Sequence, residues 1–289
     1  MRAQDECYFC LAGLAKRTAG LATVDQLKRK EALNKGLAYL TQNFSRSQIP
    51  TRVAGEIQRV IRAVTANADP FAAVKEKEME IAREIVEKIK STQRNDLPSL
   101  IAFAAKGNSI DFFLDVNMLR NEIQEPVTFA HNDIDAFCSL GEDFKNSRER
   151  KTILYFADNA GECYFDLPLV RKLEDFADVI YVVKANPAQN DLTLKDLEAS
   201  GEREKFKRVI TTGSDTPGLD LSLASKEFIE VLGSADLLLA KGMGYYETLQ
   251  EGYALKPVFF LFKAKCVPIA RSLSVPLNSY VAYLLDNMV

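Results

Sequence analysis

Short apolar runs in the second half of the chain end in groups able to bind ions and anions. Asp158–Asn159–Ala160–Gly161–Glu162 follows Ile153–Ala157, Asn186–Pro187 and Asn190–Asp191 follow Val179–Val183, and Gly213–Ser214–Asp215 follows Val209–Thr212. Lys241–Gly242 follows Leu237–Ala240, and Lys263–Ala264–Lys265–Cys266 follows Val258–Phe262. The carboxylate and carboxamide oxygens of Asp158, Asn159, Glu162, Asn190 and Asp191 suit a hard divalent ion. Lys241, Lys265 and backbone N–H groups at Gly213–Ser214 suit a phosphate or another anion. An ion and a cationic clamp at one rim are what phosphoryl chemistry requires: the ion polarises the phosphoryl group and can activate water, while lysine offsets developing charge. Any one of these loops is also ordinary turn chemistry. Their coincidence at successive run ends carries the reading.

Other chemistries are narrowed by what is scarce. The chain has one histidine, His131, so a zinc site built on several histidines is excluded. A serine or cysteine triad would have to route its base chemistry through His131, which reads as a helix-start or surface residue. Cys7 and Cys10 form a lone CxxC, and Cys138, Cys163 and Cys266 stand far from it, so no four-thiolate zinc motif is formed. Cysteines one helical turn apart also pack as ordinary apolar residues. A second metal or a redox role is the alternative at Cys7 and Cys10. The charge run Lys75–Glu80 reads as a solvated helix face. A carboxyl methyltransferase using S-adenosylmethionine would want a glycine-rich first loop and an acidic ribose anchor after the second strand. The first loop has only Gly161, and the second strand runs into Lys184–Ala185–Asn186.

The elements that must position these groups follow from periodicity. The five apolar runs are short and rich in β-branched and aromatic residues, as strands buried on both faces are. Amphipathic segments at about 167–177, 192–199, 219–232 and 244–251 alternate with them. This predicts right-handed crossovers and a three-layer α/β/α fold with a mostly parallel, doubly wound sheet over residues 149–289. In such a sheet ligands bind beyond the carboxyl ends of the strands. Residues 1–148 read as a mainly helical domain, with helices at about 25–43, 51–66, 69–90 and from Asp96–Leu97–Pro98 to Gly107. Asp69 is the expected N-cap of the third, with Pro70 at its first position.

Composition sets the outer bounds. Among 289 residues, 37 are basic and 40 acidic, giving a net charge of −3, so a strongly basic nucleic-acid binder is not expected. No apolar run approaches the ~20 residues of a membrane span. The N-terminus shows no secretory pattern, which predicts a cytoplasmic protein. Oligomeric state is not legible.

Several spaced segments, in order, resemble a known family. DNAGECYFD at 158–166, NPAQNDLT at 186–193, ADLLLAKGMGYYETL at 235–249 and LFKAKC at 261–266 are similar to motifs of the damage-control phosphatases. These were formerly domain of unknown function 89 and are also called acidic-residue methyltransferase-like proteins. KGNSID at 106–111 and the N-terminal CxxC, a feature of one subgroup, extend the resemblance over nearly the whole chain. The resemblance implies metal-dependent hydrolysis of phosphate monoesters such as sugar phosphates or damaged phospho-metabolites. It implies Asp158, Asn159 and Asp191 as ligands of Mg²⁺, Mn²⁺, Co²⁺ or Ni²⁺, and Lys265 as the phosphate contact. It places Asn108 and Asp111 near the substrate, and Asp236 and Lys241 in the family's AD…KG segment. Asp158 as direct nucleophile stays an alternative to Asp158 as ligand only. The chain departs from the family at Tyr245, where members often carry an Asn expected to face the ligand. A protein that keeps the fold and binds without turnover is the non-catalytic alternative.

Overall fold

The structure is a computed structural model and describes residues 1–109, 125–250 and 256–286. Four helices come first: α1 (Asp5–Ala22), α2 (Gln26–Asn43), α3 (Pro50–Thr65) and α4 (Ala72–Ile89). They are followed by α5 (Leu97–Gly107), strand β1 (Phe129–Asn132) and α6 (Ile134–Asn146). The remainder alternates: β2 (Lys151–Phe156), α7 (Cys163–Leu173), β3 (Ala177–Val183), α8 (Leu194–Ala199), β4 (Val209–Thr211), α9 (Lys226–Ser234), β5 (Leu237–Lys241), α10 (Met243–Leu249), β6 (Val258–Lys263), α11 (Val267–Ser272) and β7 (Tyr280–Leu285).

Seven strands form one sheet in the order β1-β7-β6-β5-β2-β3-β4. β2 pairs in parallel with both β3 and β5, β3 with β4 and β5 with β6. β7 runs antiparallel to β6, and β1 joins β7 in parallel. The chain thus steps from β2 outward to β4, returns past β2 to β5, and steps outward the other way. That reversal opens a crevice at the carboxyl ends of β2 and β5.

The sheet is covered on both faces, which explains its continuous apolar strands. Tyr155, Tyr181, Leu239 and Leu261 pack with α4, α5, α6 and α7 on one side. Leu154, Phe156, Val182 and Phe260 pack with α9, α10 and α11 on the other. A third core, including Leu11, Leu14, Ala32, Ile57 and Ile61, joins α1, α2 and α3. Core membership therefore does not follow chain position, since α4, α5 and α6 share the sheet's core.

The five strands predicted from the sequence are present as β2 to β6, and β1 and β7 are additional. Two local expectations are corrected. α4 begins at Ala72 with Phe71 at its N-cap, and Asp69, two residues before that cap, accepts from the Phe71 N–H at 3.2 Å instead of capping the helix. The run Lys75–Glu80 is not wholly solvated: Lys75 and Glu78 are each 1% exposed. α4 lies against the sheet rim, where Lys75 Nζ pairs with Asp69 and Asp196, both at 2.7 Å.

Candidate active site

The loops after β2 and β3 are stitched together by their backbones. The Leu192 N–H donates to the Asp158 carbonyl at 2.8 Å, and the Ala160 N–H donates to the Asn190 carbonyl at 2.9 Å. Asn159 and Asp191 form an isolated antiparallel bridge between them. The stitching follows from β2 and β3 being neighbours, and it sets Asp158, Asn159 and Asp191 side by side at the crevice. β5 closes the other side through Gly242, whose φ of 82° favours glycine. A Cβ there would lie 2.0 Å from Asp158 Oδ2, so only a bare backbone leaves room for that carboxylate.

A buried polar network lies beneath these side chains. Asn108 at the end of α5 donates through Nδ2 to Asp158 Oδ2 and Glu162 Oε1, both at 2.9 Å. Its Oδ1 accepts from the Lys263 N–H at 2.9 Å, which fixes the amide. Asn159 Nδ2 donates to Glu162 Oε1 at 2.9 Å and lies 3.4 Å from Asp158 Oδ2. Lys241 Nζ uses its three N–H groups on Glu162 Oε2 (2.7 Å), Asp166 Oδ1 (2.8 Å) and the Ala104 carbonyl (2.9 Å). Tyr155 and Tyr181 donate their hydroxyls to Asp166, at 2.7 and 2.8 Å. Burial opposes the Lys241 charge, but Asp166 and Glu162 outweigh it and hold its pKa above the ordinary value.

Asp191 is held from below by Lys184, whose Nζ lies 3.6 Å from its Oδ2. Lys184 is fully buried, also donates to the Tyr245 hydroxyl at 2.9 Å, and bonds the Gly218 carbonyl. Burial lowers its pKa, against the charges of Asp191 and Asp158. Burial pushes Asp191 up to about 6 although Lys184 pulls it down. Burial, then the charges of Glu162 and Asp191, holds Asp158 well above the usual carboxylate range, while Lys265 and Lys241 oppose the rise. Crowded, buried carboxylates of this kind repel one another and are relieved by opposite charge.

The donors fit a hard divalent ion on two observations. Asp191 Oδ2 is buried without a hydrogen bond within 3.5 Å, its one cationic neighbour among the described residues being Lys184 Nζ at 3.6 Å. The Asn159 amide points its N–H groups at Glu162 and Asp158, which turns its carbonyl oxygen away from them. Among the described residues, no three Asp, Glu, His or Cys side chains converge as a metal cluster. A third oxygen beside the two aspartates therefore falls to the carboxamide.

Above these groups opens a cleft of about 370 Å³ between the sheet rim and the N-terminal helices. Its floor holds Asp158, Asn159, Asp191 and Lys265, and its opposite wall includes Leu11 and Leu14 of α1 and Ala54 of α3. Asp215 docks α3 over the cleft by pairing with Arg59 at 2.6 Å and Arg62 at 2.5 Å. Burial would raise the Asp215 pKa, but the two guanidinium groups outweigh it and hold it low. The Lys265 ammonium makes no ion pair among the described residues, which leaves its charge to the cleft.

The profile of the damage-control phosphatase ARMT1-like domain matches residues 3–281. The chain belongs to this damage-control phosphatase family. It is similar to a damage-control phosphatase of Pyrococcus horikoshii, 35% identical over 97% of both chains. It is also similar to a damage-control phosphatase of Archaeoglobus fulgidus, 27% identical over 99% of this chain and 100% of that one. The crystal structure of a DUF89 family protein from Pyrococcus horikoshii superposes with a TM-score of 0.86, at 33% identity and 98% coverage of each chain.

Within this family member, the residues expected from the sequence divide sharply. Asp158, Asn159, Asn190, Asp191, Lys265 and Asn108 line the cleft. Glu162 and Lys241 lie fully buried beneath it and pair with each other, so neither is open to a substrate. Asp236 is at the wrong end of the sheet: it precedes β5, accepts from the Thr152 N–H at 2.8 Å and pairs with Lys151. Gly213 and Ser214 do not line the cleft, whereas Pro217 and Gly218 further along the same loop do. Asp111 lies outside the described residues. Tyr245 does not face the ligand space, unlike the Asn expected at its position in the family. It is fully buried, against Phe156 and Lys184. Cys7 and Cys10 line the cleft; Cys7 is buried, which raises its thiol pKa, whereas Cys10 is exposed. His131 sits on β1 with its Nε2 3.0 Å from Asp133 Oδ2, and does not line the cleft.

Two residues behind the site are not singled out by the sequence. Lys184 is one, and its signal is a lysine directly after the apolar run Val179–Val183. Glu78 is the other: it accepts from Asn190 Nδ2 at 3.0 and 3.2 Å across the gap between α4 and the β3 loop.

Proposed function

We propose that this family member hydrolyses phosphate monoesters of small metabolites, including damaged ones, with a divalent ion held by Asp158, Asn159 and Asp191. The observation that carries this is the meeting of two carboxylates and a carboxamide at one end of the cleft, with Lys265 entering from the next strand but one. Bound there, the ion would polarise a phosphoryl oxygen and lower the pKa of a water molecule. Lys265 would bind and orient the phosphate through its charge. Asn108, pinned by the Lys263 N–H, would hold Asp158 in place. The apolar wall from α1 and α3 would exclude bulk water around the ester. Mg²⁺, Mn²⁺, Co²⁺ and Ni²⁺ all suit such an oxygen set. The setting is proposed to be the cytoplasm; no helix of the described residues is long and apolar enough to cross a membrane.

We further propose that residues 1–148 act as a cover for residues 149–289 and not as an independent unit. The binding-only alternative draws its support from Tyr245, and that support falls away because Tyr245 is buried outside the cleft. Asp158→Ala and Asp191→Ala should each reduce metal-dependent turnover by about 10³-fold or more with the fold kept. Full activity in both variants would refute the assignment.

A further inference from the structure

Glu162 reads at first as one more ligand-side carboxylate, yet it is wholly buried and reaches no substrate space. Its two oxygens have divided duties. Oε2 accepts from Lys241 at 2.7 Å, and Oε1 accepts from the amide groups of Asn108 and Asn159, both at 2.9 Å. Lys241 has no N–H left over, since its others bind Asp166 and the Ala104 carbonyl.

A carboxamide has a donor end and an acceptor end, and only the acceptor end can bind a cation. Nothing in the backbone of Asn159 decides which end faces the crevice. Glu162 at 2.9 Å is the stronger determinant, with Asp158 Oδ2 at 3.4 Å a weaker second acceptor, because an acceptor-only carboxylate can receive the amide N–H groups but not the carbonyl.

We propose that Glu162 is the positioning residue that fixes the amide orientation of Asn159, so that its oxygen and not its nitrogen is presented to the divalent ion. The proposal rests on the Asp158, Asn159 and Asp191 site. Lys241 completes the device by occupying Oε2 at 2.7 Å, which holds the Glu162 carboxylate in place and leaves Oε1 for the amides. A glutamine at 162 would turn its oxygen to Lys241 and its amide nitrogen to Asn159 and Asn108, and Asn108, whose oxygen is held by the Lys263 N–H, cannot turn to accept. Asn159 would then flip to accept, which aims its own nitrogen at the ion. An aspartate at 159 has no wrong end, and paired with that glutamine it restores the hydrogen bond with its polarity reversed.

The test is a calorimetric titration of the chelator-stripped full chain with Mn²⁺, with thermal unfolding as the check on fold. Wild type should bind one ion, and Asp191→Ala should lose it. Glu162→Gln should bind 10- to 100-fold more weakly, the range for outer-shell partners of metal ligands. The paired variant Glu162→Gln with Asn159→Asp should return to within about tenfold of wild type and exceed Asn159→Asp alone, in which two carboxylates face each other; that excess separates restored polarity from the affinity a new carboxylate ligand adds by itself. Wild-type affinity in Glu162→Gln, or a folded paired variant no better than the single one, would overturn the proposal while leaving the metal site standing. Wild type titrating like Asp191→Ala would overturn the metal site, and the role of Glu162 with it. If Glu162→Gln alone does not fold, the affinity of the paired variant decides. If that also fails to fold, Glu162 is a packing residue and the proposal is wrong.

Discussion

Gly242 shows how much of this site rests on a missing atom. Its φ of 82° is costly for an L-residue, and an added Cβ would overlap the Asp158 carboxylate. Gly242→Ala should therefore lower stability by about 1–3 kcal/mol and cut activity at least tenfold by displacing Asp158. Unchanged activity and melting temperature would contradict the geometry. Glu247, on the cleft wall, supplies a pH test. Burial raises its pKa to about 7, against the pull of the N-terminal amine. A carboxyl raised on folding favours the protonated folded form. Its contribution is full below its ordinary value of 4.5 and is lost as pH rises through about 7. Wild type should thus lose stability over that window, by about 1 kcal/mol given its partial exposure, and Glu247→Gln should flatten the loss. Parallel pH–stability curves would rule this out. At the residue scale the sequence is partly legible. Asp158, Asn159, Asp191 and Lys265 stand after strands, where a parallel sheet gathers its ligands. Asp236 sits in a family motif yet precedes its strand, and so must lie at the opposite edge. Lys75 and Glu78 look solvated because a charge run does not reveal that its helix is clamped to a sheet rim.

Among the elements, β2 to β6 are readable because burial on both faces leaves them continuously apolar. β1 is not, since FAHN alternates between half-buried and exposed positions and contains polar residues at the sheet's edge. β7 escapes for a related reason: most of it is only half-buried, and it runs against the direction of the strands before it. In the first half α2 to α5 are legible to within a few residues, whereas α1 and α6 are not singled out beyond the mainly helical character of that half, and periodicity does not say which core each helix joins. α4, α5 and α6 bring Met79, Ile85, Leu100, Ile101, Phe103 and Phe137 to the sheet. At about 1.5–3 kcal/mol per large apolar side chain, exposing the surface they cover removes roughly 10 kcal/mol or more, comparable to the whole stability of a domain. Residues 149–289 expressed alone should therefore lack cooperative unfolding. A sharp thermal transition in that fragment would contradict the cover role proposed for residues 1–148.

For the molecule as a whole, the cleft is the meeting of two unlike surfaces. The sheet rim carries the charged and carboxamide groups, and the N-terminal helices supply an apolar wall, docked through Asp215 with Arg59 and Arg62. The sequence reveals the first surface because its residues recur at strand ends. It hides the second, because Leu11, Leu14 and Ala54 look like any helix core. Family membership and the site chemistry converge on metal-dependent phosphoryl transfer to water. The most direct measurement is phosphate release from a panel of phosphate monoesters by chelator-stripped protein, with Mg²⁺, Mn²⁺, Co²⁺ or Ni²⁺ restored singly and Asp158→Ala assayed beside it. Turnover should return with at least one ion and be absent from the variant. Turnover undiminished by chelation, or equal in Asp158→Ala, would contradict a metal-dependent reaction at this site.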